Sequence, residues 1–435
     1  MRKLLISFYL FFLTTGPLPV VNMPMFTLCS FLIIGFFLLN TVANKCAIID
    51  KNIVLLFLTF LVVITVSVLF APDYVPLPGQ LSFYMKILFL SLWGFATYDL
   101  LCRTEIRYVF AVYYKSVFFF SVVGIILFCL KLLGLNNSLG IYTEFYIPRL
   151  QVFAVEPQGY AGMALLCLPI WHYNANRIFK NELVSFLSLL SIGTSIILTF
   201  SPVPILLMAL YVVYRVSARG LIAALMVIAV TVAAIIYNLD FFPYYYNLKF
   251  GANAIEASGT TRLDFWTVAL REFLAHPLTG VGPEGYGHYY DYFKLGLRDV
   301  EVYPQPPQNL VLGILANFGA IGGLYFLTFF VGPVVALWLK KGRLDIETKT
   351  AIALWLMVML LNMQIWNVTS QTLWFFLLLL YSRLYFLRKN GDDLQYEKIS
   401  PLRTYRIRLG LTPIRFCTGL PRIRFRFLNK KTPIP

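Results

Sequence analysis

Long apolar segments dominate the chain and alternate with short polar connections. Each of these apolar runs, about a dozen in number and roughly 17 to 25 residues long, is long enough for a helix to cross a bilayer. Short segments of alternating polarity, which are typical of outer-membrane barrels, do not occur in the sequence. The pattern therefore predicts an all-α, polytopic membrane protein with about 12 transmembrane helices.

The predicted spans share an apolar composition and end at charged or turn-forming residues. They cover residues 4–20, 23–42, 53–70, 82–101, 117–135, 160–173, 183–200, 204–216, 220–239, 310–339, 351–366 and 372–387. The loop 240–308, before the tenth span, is too long to be a turn, and long loops are often functional. We therefore expect a transmembrane domain over 1–390, which includes this loop, and a separate basic tail over 391–435.

Composition and charge support the membrane assignment and give it an orientation. Of the 435 residues, 59% are hydrophobic and only 13% are charged, whereas soluble domains carry about 25% charged residues. The net charge of +16 arises mainly from Lys and Arg in alternate connections and in the tail, which predicts cytoplasmic N and C termini. The loop 240–308 then lies outside. We expect the basic tail to contact membrane lipids and not nucleic acid.

One segment of this loop has the pattern of an amphipathic helix. Its apolar positions recur at helical spacing and are Leu263, Trp266, Leu270, Phe273 and Leu274. Thr260 or Thr261 is suited to cap its N-terminus, and His276-Pro277 is suited to end it. We expect a surface helix that lies on the outer face of the membrane.

A glycine-rich stretch follows this helix and matches the dinucleotide fingerprint by its letters. The stretch Gly280-Val281-Gly282-Pro283-Glu284-Gly285 lacks the preceding strand that this fingerprint requires, so we interpret it as a tight, exposed turn. His276 and His288 flank it and have the pattern of surface residues. The six cysteines form no Cys-x-x-Cys pair, and the sequence contains no carboxylate or histidine motif for a metal. We expect neither a metal nor a cofactor.

Polar residues also occur where the chain re-enters the membrane. Arg149 is followed by Glu156-Pro157 and then by a span. Proline suits a first helical turn, and a helix N-terminus stabilises a carboxylate. Gln308-Asn309 likewise leads directly into an apolar segment. A purely structural interpretation, a capping Glu156 and a snorkelling Arg149, remains open.

Together, these segments resemble the bacterial O-antigen ligase and Wzy-type polysaccharide polymerase superfamily. The shared elements occur in the same order and with similar spacing across residues 1–390. They are Arg149 with Glu156-Pro157, Ser201, the stretch Gly259 to Trp266, the stretch His276 to Gly282, Gln308-Asn309-Leu310, and the stretch Asn317 to Gly323.

The resemblance implies a helical, GT-C-like glycosyltransferase in the bacterial inner membrane. It would act at the periplasmic face on glycans linked to undecaprenyl pyrophosphate, by inverting transfer. No metal is needed if Arg149 and Arg262 stabilise the leaving pyrophosphate. The candidate proton acceptors are Glu156, which ranks first because it lies at the mouth of a span, and then His288 and Glu284. Further candidate substrate contacts are Gln308, Asn309, Tyr286 and Tyr289.

One departure from the family favours a polymerase. Family ligases open the tenth span with His-Asn, whereas this chain has Gln308-Asn309, and glutamine cannot act as a general base. A ligase that transfers glycan to the lipid A core remains the alternative. A transporter or flippase would place ionisable or helix-breaking residues at midmembrane, and we expect no such residues at the centres of these spans. A non-catalytic assembly role also stays open, and the implied partner proteins are a chain-length regulator and a flippase.

Overall fold

The computed structural model describes residues 1–13, 25–44, 47–72, 75–134, 141–144, 147–152, 157–215, 252–294, 307–339, 344–363, 368–398 and 414–415. Helices form most of this part of the chain. Those before residue 216 are α1 (Arg2–Leu13), α2 (Met25–Asn44), α3 (Lys51–Leu69), α4 (Leu77–Cys102), α5 (Ile106–Leu132), α6 (Pro157–Leu165), α7 (Cys167–Ile178), α8 (Glu182–Leu198) and α9 (Pro202–Arg215).

The later described residues are also mainly helical. Their helices are α10 (Ala252–Ala275), α11 (Gly285–Phe293), α12 (Leu310–Phe326), α13 (Gly332–Trp338), α14 (Ile346–Asn362) and α15 (Gln371–Lys398). A π-helical turn over Leu327–Val331 joins α12 to α13. Helix α15 therefore continues beyond residue 390, the predicted end of the transmembrane domain.

The helices are consistent with a polytopic membrane protein. Four described segments are long and apolar enough to cross a bilayer, namely α3, α4, α5 and the segment Leu310–Trp338, which contains α12 and α13. Every predicted span that falls within the described ranges coincides with a helix. The span predicted at 220–239 lies outside them. The total of about 12 spans and their orientation remain predictions.

Helix α15 lies at the centre of the hydrophobic core. Its residues from Leu373 to Leu380 are all buried, and a helix that is apolar on every side belongs in the interior of a bundle. The ring of Trp374 stacks on Phe57 of α3 with centroids 5.1 Å apart. Phe60, one turn later in α3, stacks on Tyr325 of α12 at 4.9 Å. Aromatic contacts therefore connect α3, α12 and α15.

The predicted all-α fold needs one correction, because the loop before α6 contains a hairpin. Strands β2 (Ile141–Glu144) and β3 (Ile147–Leu150) pair antiparallel, with Tyr142 opposite Arg149. Isoleucine, tyrosine and threonine favour extended backbone, and two of the strand residues, Ile141 and Leu150, are buried. A second pair joins β1 (Ile48–Ile49) to β4 (Ile414–Arg415).

Helix α10 begins earlier than the sequence predicts. It starts at Ala252 and not at Thr260 or Thr261, because three alanines in the preceding residues favour helix. It ends at Ala275, directly before His276-Pro277, as predicted.

The predicted apolar stripe of α10 faces away from the rest of the protein. Leu263, Leu270 and Leu274 are exposed, while Phe265 and Val268 on the opposite face are buried. The buried face packs on α11 and α12. Contact of the exposed stripe with the membrane surface remains a prediction.

Candidate functional site

The long loop is fixed to the bundle at a break in helix α12. Gly319 lies inside this helix with φ 61° and ψ −157°, a conformation that interrupts the helical hydrogen bonds. The preceding carbonyls are instead satisfied by the glycine-rich stretch. The amide of Val281 donates to the carbonyl of Ala316 at 2.9 Å, and the amide of Gly282 donates to the carbonyl of Asn317 at 3.0 Å.

The helix amides beyond the break are satisfied by the same loop. The amide of Ala320 donates to the carbonyl of Pro277 at 2.8 Å, and the amide of Ile321 donates to the carbonyl of Leu278 at 3.2 Å. Four backbone groups that the break would leave unpaired therefore find partners in residues 277–282. Such pairing is required of irregular backbone within a membrane protein.

The glycine-rich stretch is a tight turn, as predicted, but apart from Glu284 it is buried. Val281 is fully buried, and Gly280 and Gly282 are buried on either side of it. A Cβ atom on Gly280 would lie 2.4 Å from the backbone carbon of Asn317. The sequence interpretation failed because the groups that cover this turn come from α12, far along the chain.

The turn leads directly into a cavity that contains two of the candidate proton acceptors. The cavity has a volume of about 460 Å³ and is lined by Gly79, Ser82, Lys86, Glu284, Gly287 and His288. We call it the α4–α11 cavity, because α4 supplies the first three residues and the start of α11 supplies the others. It is open to solvent, and the side chains of Lys86 and Glu284 that line it are about half exposed.

Opposite charges meet in the α4–α11 cavity. The Nζ atom of Lys86 lies 3.6 Å from Oε1 of Glu284, and His288 is exposed beside them. These groups can bind an anion, form hydrogen bonds to sugar hydroxyls and accept a proton. The sequence pattern did not single out Lys86, because it is nearly 200 residues from Glu284.

Arg149 belongs to a second cluster, at the turn between α8 and α9. Its Nε donates to the carbonyl of Thr199 at 3.0 Å, and its Nη2 donates to Oγ of Ser201 at 3.3 Å. Two elements of the resemblance, Arg149 and Ser201, are thus brought together. Among the described residues, no hydrogen bond or ion pair joins this cluster to Glu284 or His288.

The residues before α12 form its N-terminal cap. Oδ1 of Asn309 accepts hydrogen bonds from the amides of Val311 and Leu312 at 3.0 and 3.1 Å. The oxygen predicted to contact substrate therefore caps a helix in this structure. Gln308, directly before it, is partly exposed and has a positive φ of 46°.

Strained backbone marks the segments that the sequence singled out. In the part of the chain that the structure describes, four non-glycine residues have a positive φ: Val152, Phe200, Glu284 and Gln308. Val152 follows Arg149, Phe200 precedes Ser201, and the other two are candidate site residues. Each such conformation costs on the order of 1–3 kcal/mol and is found preferentially at active sites.

These segments have a counterpart among known families. Residues 183–327 match the family model described as O-antigen ligase. The match confirms, over this range, the resemblance to the O-antigen ligase and Wzy-type superfamily. No curated protein matches the chain.

The O-antigen ligase match extends from α8 to the end of α12. The predicted site residues within this range are Arg262, Glu284, Tyr286, His288, Tyr289, Gln308 and Asn309. Arg149, with its hairpin, precedes the matched range.

One predicted site residue is buried, and another lies outside the described residues. Tyr286 is buried between α10 and α11, and its hydroxyl donates to the carbonyl of Phe265 at 3.1 Å. Its ring therefore belongs to the core. The sequence had instead suggested an exposed ring that contacts sugar. Tyr289 lies in α11. Glu156 lies outside the described residues, although α6 begins at Pro157 as predicted.

The remaining predictions concern Arg262 and the expected absence of a metal site. Arg262 is partly exposed on α10 and forms no ion pair with another described residue. In the described ranges, no group of three His, Cys, Asp or Glu side chains is arranged to hold a metal ion.

A buried carboxyl group, Glu272 of α10, was missed by the sequence analysis. It is completely buried, and neither of its carboxyl oxygens has a hydrogen-bond partner within the described structure. Burial raises the pKa of Glu272 to about 9, because the charged form is poorly solvated there. The pKa of the adjacent Tyr286 is raised by burial and, to a lesser extent, by Glu272. The carboxyl group of Glu272 is therefore protonated at neutral pH, and a substrate cannot reach it.

Proposed function

We propose that this protein is a polysaccharide polymerase that joins lipid-linked repeat units at the periplasmic face of the inner membrane. The units would be linked to undecaprenyl pyrophosphate, and the product would be an O-antigen or an exopolysaccharide. The observation that carries this proposal is Gln308. It lies at the start of α12 within the O-antigen ligase match, in a strained backbone conformation, and has no basic group to act as a ligase histidine would.

The proposed reaction is an inverting glycosyl transfer without a metal. An acceptor hydroxyl forms a bond to the anomeric carbon of the donor, and the bond from that carbon to the pyrophosphate oxygen breaks. The electron pair leaves with the pyrophosphate, whose charge Arg149 and Arg262 stabilise. The proton of the hydroxyl passes to a protein base.

The α4–α11 cavity supports Glu284 or His288 as that base. Both line one space that is large enough for a sugar residue. Glu156, placed by sequence at the N-terminus of α6, is the third candidate. A helix N-terminus stabilises a carboxylate, and this applies to Glu156 before α6 and equally to Glu284, the N-cap residue of α11.

A ligase is the second candidate, since the matching family model is described as O-antigen ligase. Deletion of the gene, followed by gel analysis of lipopolysaccharide, separates the two functions. We expect loss of the ladder with a single repeat unit still on the core. Complete loss of sugar on the core, with polymer retained on the carrier lipid, would instead establish a ligase.

A further inference from the structure

Lys86 lies where two faces of helix α4 meet. Helix α4 exposes Leu81, Met85, Leu88 and Leu92 at intervals of three or four residues, which places these side chains on one side of the helix and extends the apolar face inward past Lys86. Ser82 and Lys86 lie beside them and line the α4–α11 cavity. An apolar surface and a cation therefore adjoin at the same end of this span.

The ion pair between Lys86 and Glu284 is readily exchanged. Their charged atoms are 3.6 Å apart, and the side chains are 54% and 49% exposed. Ion pairs with this degree of exposure contribute little to stability, because solvent screens both charges. An incoming anion with more charge can take the place of Glu284 at small cost.

We propose that Lys86 binds the phosphate group of the lipid-linked substrate and releases Glu284 from its ion pair. The polyprenyl chain lies along the exposed apolar face of α4, and the glycan extends into the α4–α11 cavity. This inference rests on the proposed function and assigns one substrate group to a residue that the family resemblance does not include.

The geometry accounts for both ends of such a molecule. A polyprenyl phosphate needs an apolar surface that is continuous with the membrane and a cation at the point where its chain ends. Helix α4 supplies both within three turns, through Met85 and its neighbours on one face and Lys86 on the next. A lysine suits this role because its ammonium acts as a point charge on a flexible chain.

Displacement of Glu284 links donor binding to catalysis. Without the donor, the carboxylate is held by Lys86. With the phosphate on Lys86, the carboxylate of Glu284 is released from this ion pair. It then shares the cavity with His288 and the acceptor sugar.

Binding can be measured without turnover. Full-length protein in nanodiscs of phosphatidylcholine is titrated with a long-chain polyprenyl phosphate, and the bound fraction is measured by native mass spectrometry. We expect Lys86→Gln to weaken binding roughly tenfold or more, the loss typical of one charge-assisted hydrogen bond. Lys86→Arg should keep most of the affinity. Glu284→Gln should bind severalfold more tightly, because it removes the competing carboxylate.

The matched control is Lys131→Gln. Lys131 lies in the last turn of α5, at the same predicted side of the membrane, and does not line the cavity. The Lys131→Gln variant loses the same charge as Lys86→Gln, but it should bind the lipid as tightly as the unaltered protein does. A second arm adds phosphatidylglycerol, a common anionic phospholipid, which should compete at least tenfold less well than the polyprenyl phosphate.

Three results would overturn the inference. They are wild-type affinity in Lys86→Gln, weaker binding in Glu284→Gln, and equal competition by phosphatidylglycerol, which would make Lys86 a general site for anionic lipids. If Lys86→Gln does not fold, Lys86→Arg and Glu284→Gln still test the exchange. A protein that binds the lipid in this pattern but produces no polymer contradicts the proposed function and leaves the lipid site in place.

Discussion

Arg149 and Arg262 differ in how the structure holds them, although both are proposed to stabilise pyrophosphate. The guanidinium of Arg149 fixes the turn between α8 and α9 through Thr199 and Ser201. Arg262 has no ion pair with another described residue. A lysine keeps the charge but cannot form the two-pronged contact of a guanidinium.

We therefore expect both Arg149→Lys and Arg262→Lys to reduce polymer formation roughly tenfold or more. Only Arg149→Lys should also lower the unfolding temperature, because it alone loses described hydrogen bonds. Polymer is measured on gels, protein amount by immunoblot and unfolding by a thermal shift assay. Arg2→Lys, at the predicted cytoplasmic end of α1, is the control. Normal polymer from both variants would assign the leaving-group contact to other residues.

The proton acceptor is tested by neutral substitutions that keep the shape of the side chain. If Glu284 is the base, Glu284→Gln should reduce turnover on purified lipid-linked repeat units roughly 100-fold. Glu156→Gln should have a much smaller effect, and His288→Asn reports the contribution of the imidazole. A loss that occurs only in Glu156→Gln would instead confirm the base suggested by the position before α6.

Glu272 offers a prediction about stability. The folded protein raises the pKa of Glu272 from 4.5 to about 9, so the folded chain holds this proton more tightly than the unfolded chain. Stability from this group is therefore greatest at low pH and falls as pH rises between these values. At pH 7 the penalty is on the order of 3 kcal/mol.

Glu272→Gln should remove this pH-dependent penalty. We expect the variant to unfold at a higher temperature than the unaltered protein at pH 8, and we expect the difference to shrink towards pH 5. Thermal unfolding in detergent across this range measures the effect. Glu105→Gln, an exposed site, should show no such trend. An identical pH dependence in Glu272→Gln and the unaltered protein would contradict a buried, neutral carboxyl group.

At the scale of elements, the break in α12 and the buried glycine turn form one structural unit. A Cβ atom at Gly319 would lie 2.4 Å from the carbonyl carbon and oxygen of Leu278, and Gly280 meets backbone atoms just as closely. Both glycines have positive φ values. Side chains at these positions therefore face a steric clash and an unfavourable backbone conformation together.

Gly280→Ala and Gly319→Ala should each destabilise the protein by roughly 3 kcal/mol or more. We expect low amounts of folded protein and a corresponding loss of polymer. Gly35→Ala is the control, because a Cβ there meets nothing within 4 Å and the site lies within helix α2. Fluorescence-detected size exclusion measures the folded fraction. Folded, fully active Gly319→Ala protein would show that the unit tolerates a side chain.

Local sequence signals predicted the elements but not their long-range contacts. The end of α10 at Ala275 and the start of α6 at Pro157 follow from proline positions. The expectation that the spans contain no helix break is wrong for the tenth span, because Gly319 interrupts α12. This break was missed because the apolar pattern continues through it, and the groups that satisfy it lie about 40 residues earlier. The hairpin before α6 was missed because its strands are only four residues long.

The same distinction applies to the candidate site. Arg149, Glu284 and Gln308 were found because they interrupt or border apolar segments. Lys86 and Glu272 were missed because each lies within a helical pattern. Their significance depends on other helices, which place Glu284 beside Lys86 and bury Glu272. Tyr286 was assigned to substrate because its segment is rich in tyrosine, whereas packing between α10 and α11 places it in the core.

At the scale of the whole molecule, the proposed chemistry requires one orientation in the membrane. The Lys and Arg residues lie mainly in every second connection between spans, and twelve of them follow Leu387 in the tail. This distribution predicts that the tail is cytoplasmic. Helices α10 and α11 then lie on the periplasmic side with the α4–α11 cavity. Helix α4, which runs from Leu77 to Cys102, begins on that same side.

Reporter fusions test this orientation directly. A reporter that is active only in the periplasm, fused after Asn253 or Gly296, should be active, and the same reporter after Gly391 should be inactive, because Lys and Arg resist translocation. A second reporter that is active only in the cytoplasm should give the reverse result at each position, which controls for expression. A cytoplasmic signal at Gly296 would place Glu284 and His288 on the side where periplasmic glycans are absent. The α4–α11 cavity would then have no access to the proposed substrate, and the polymerase proposal would fail as a whole.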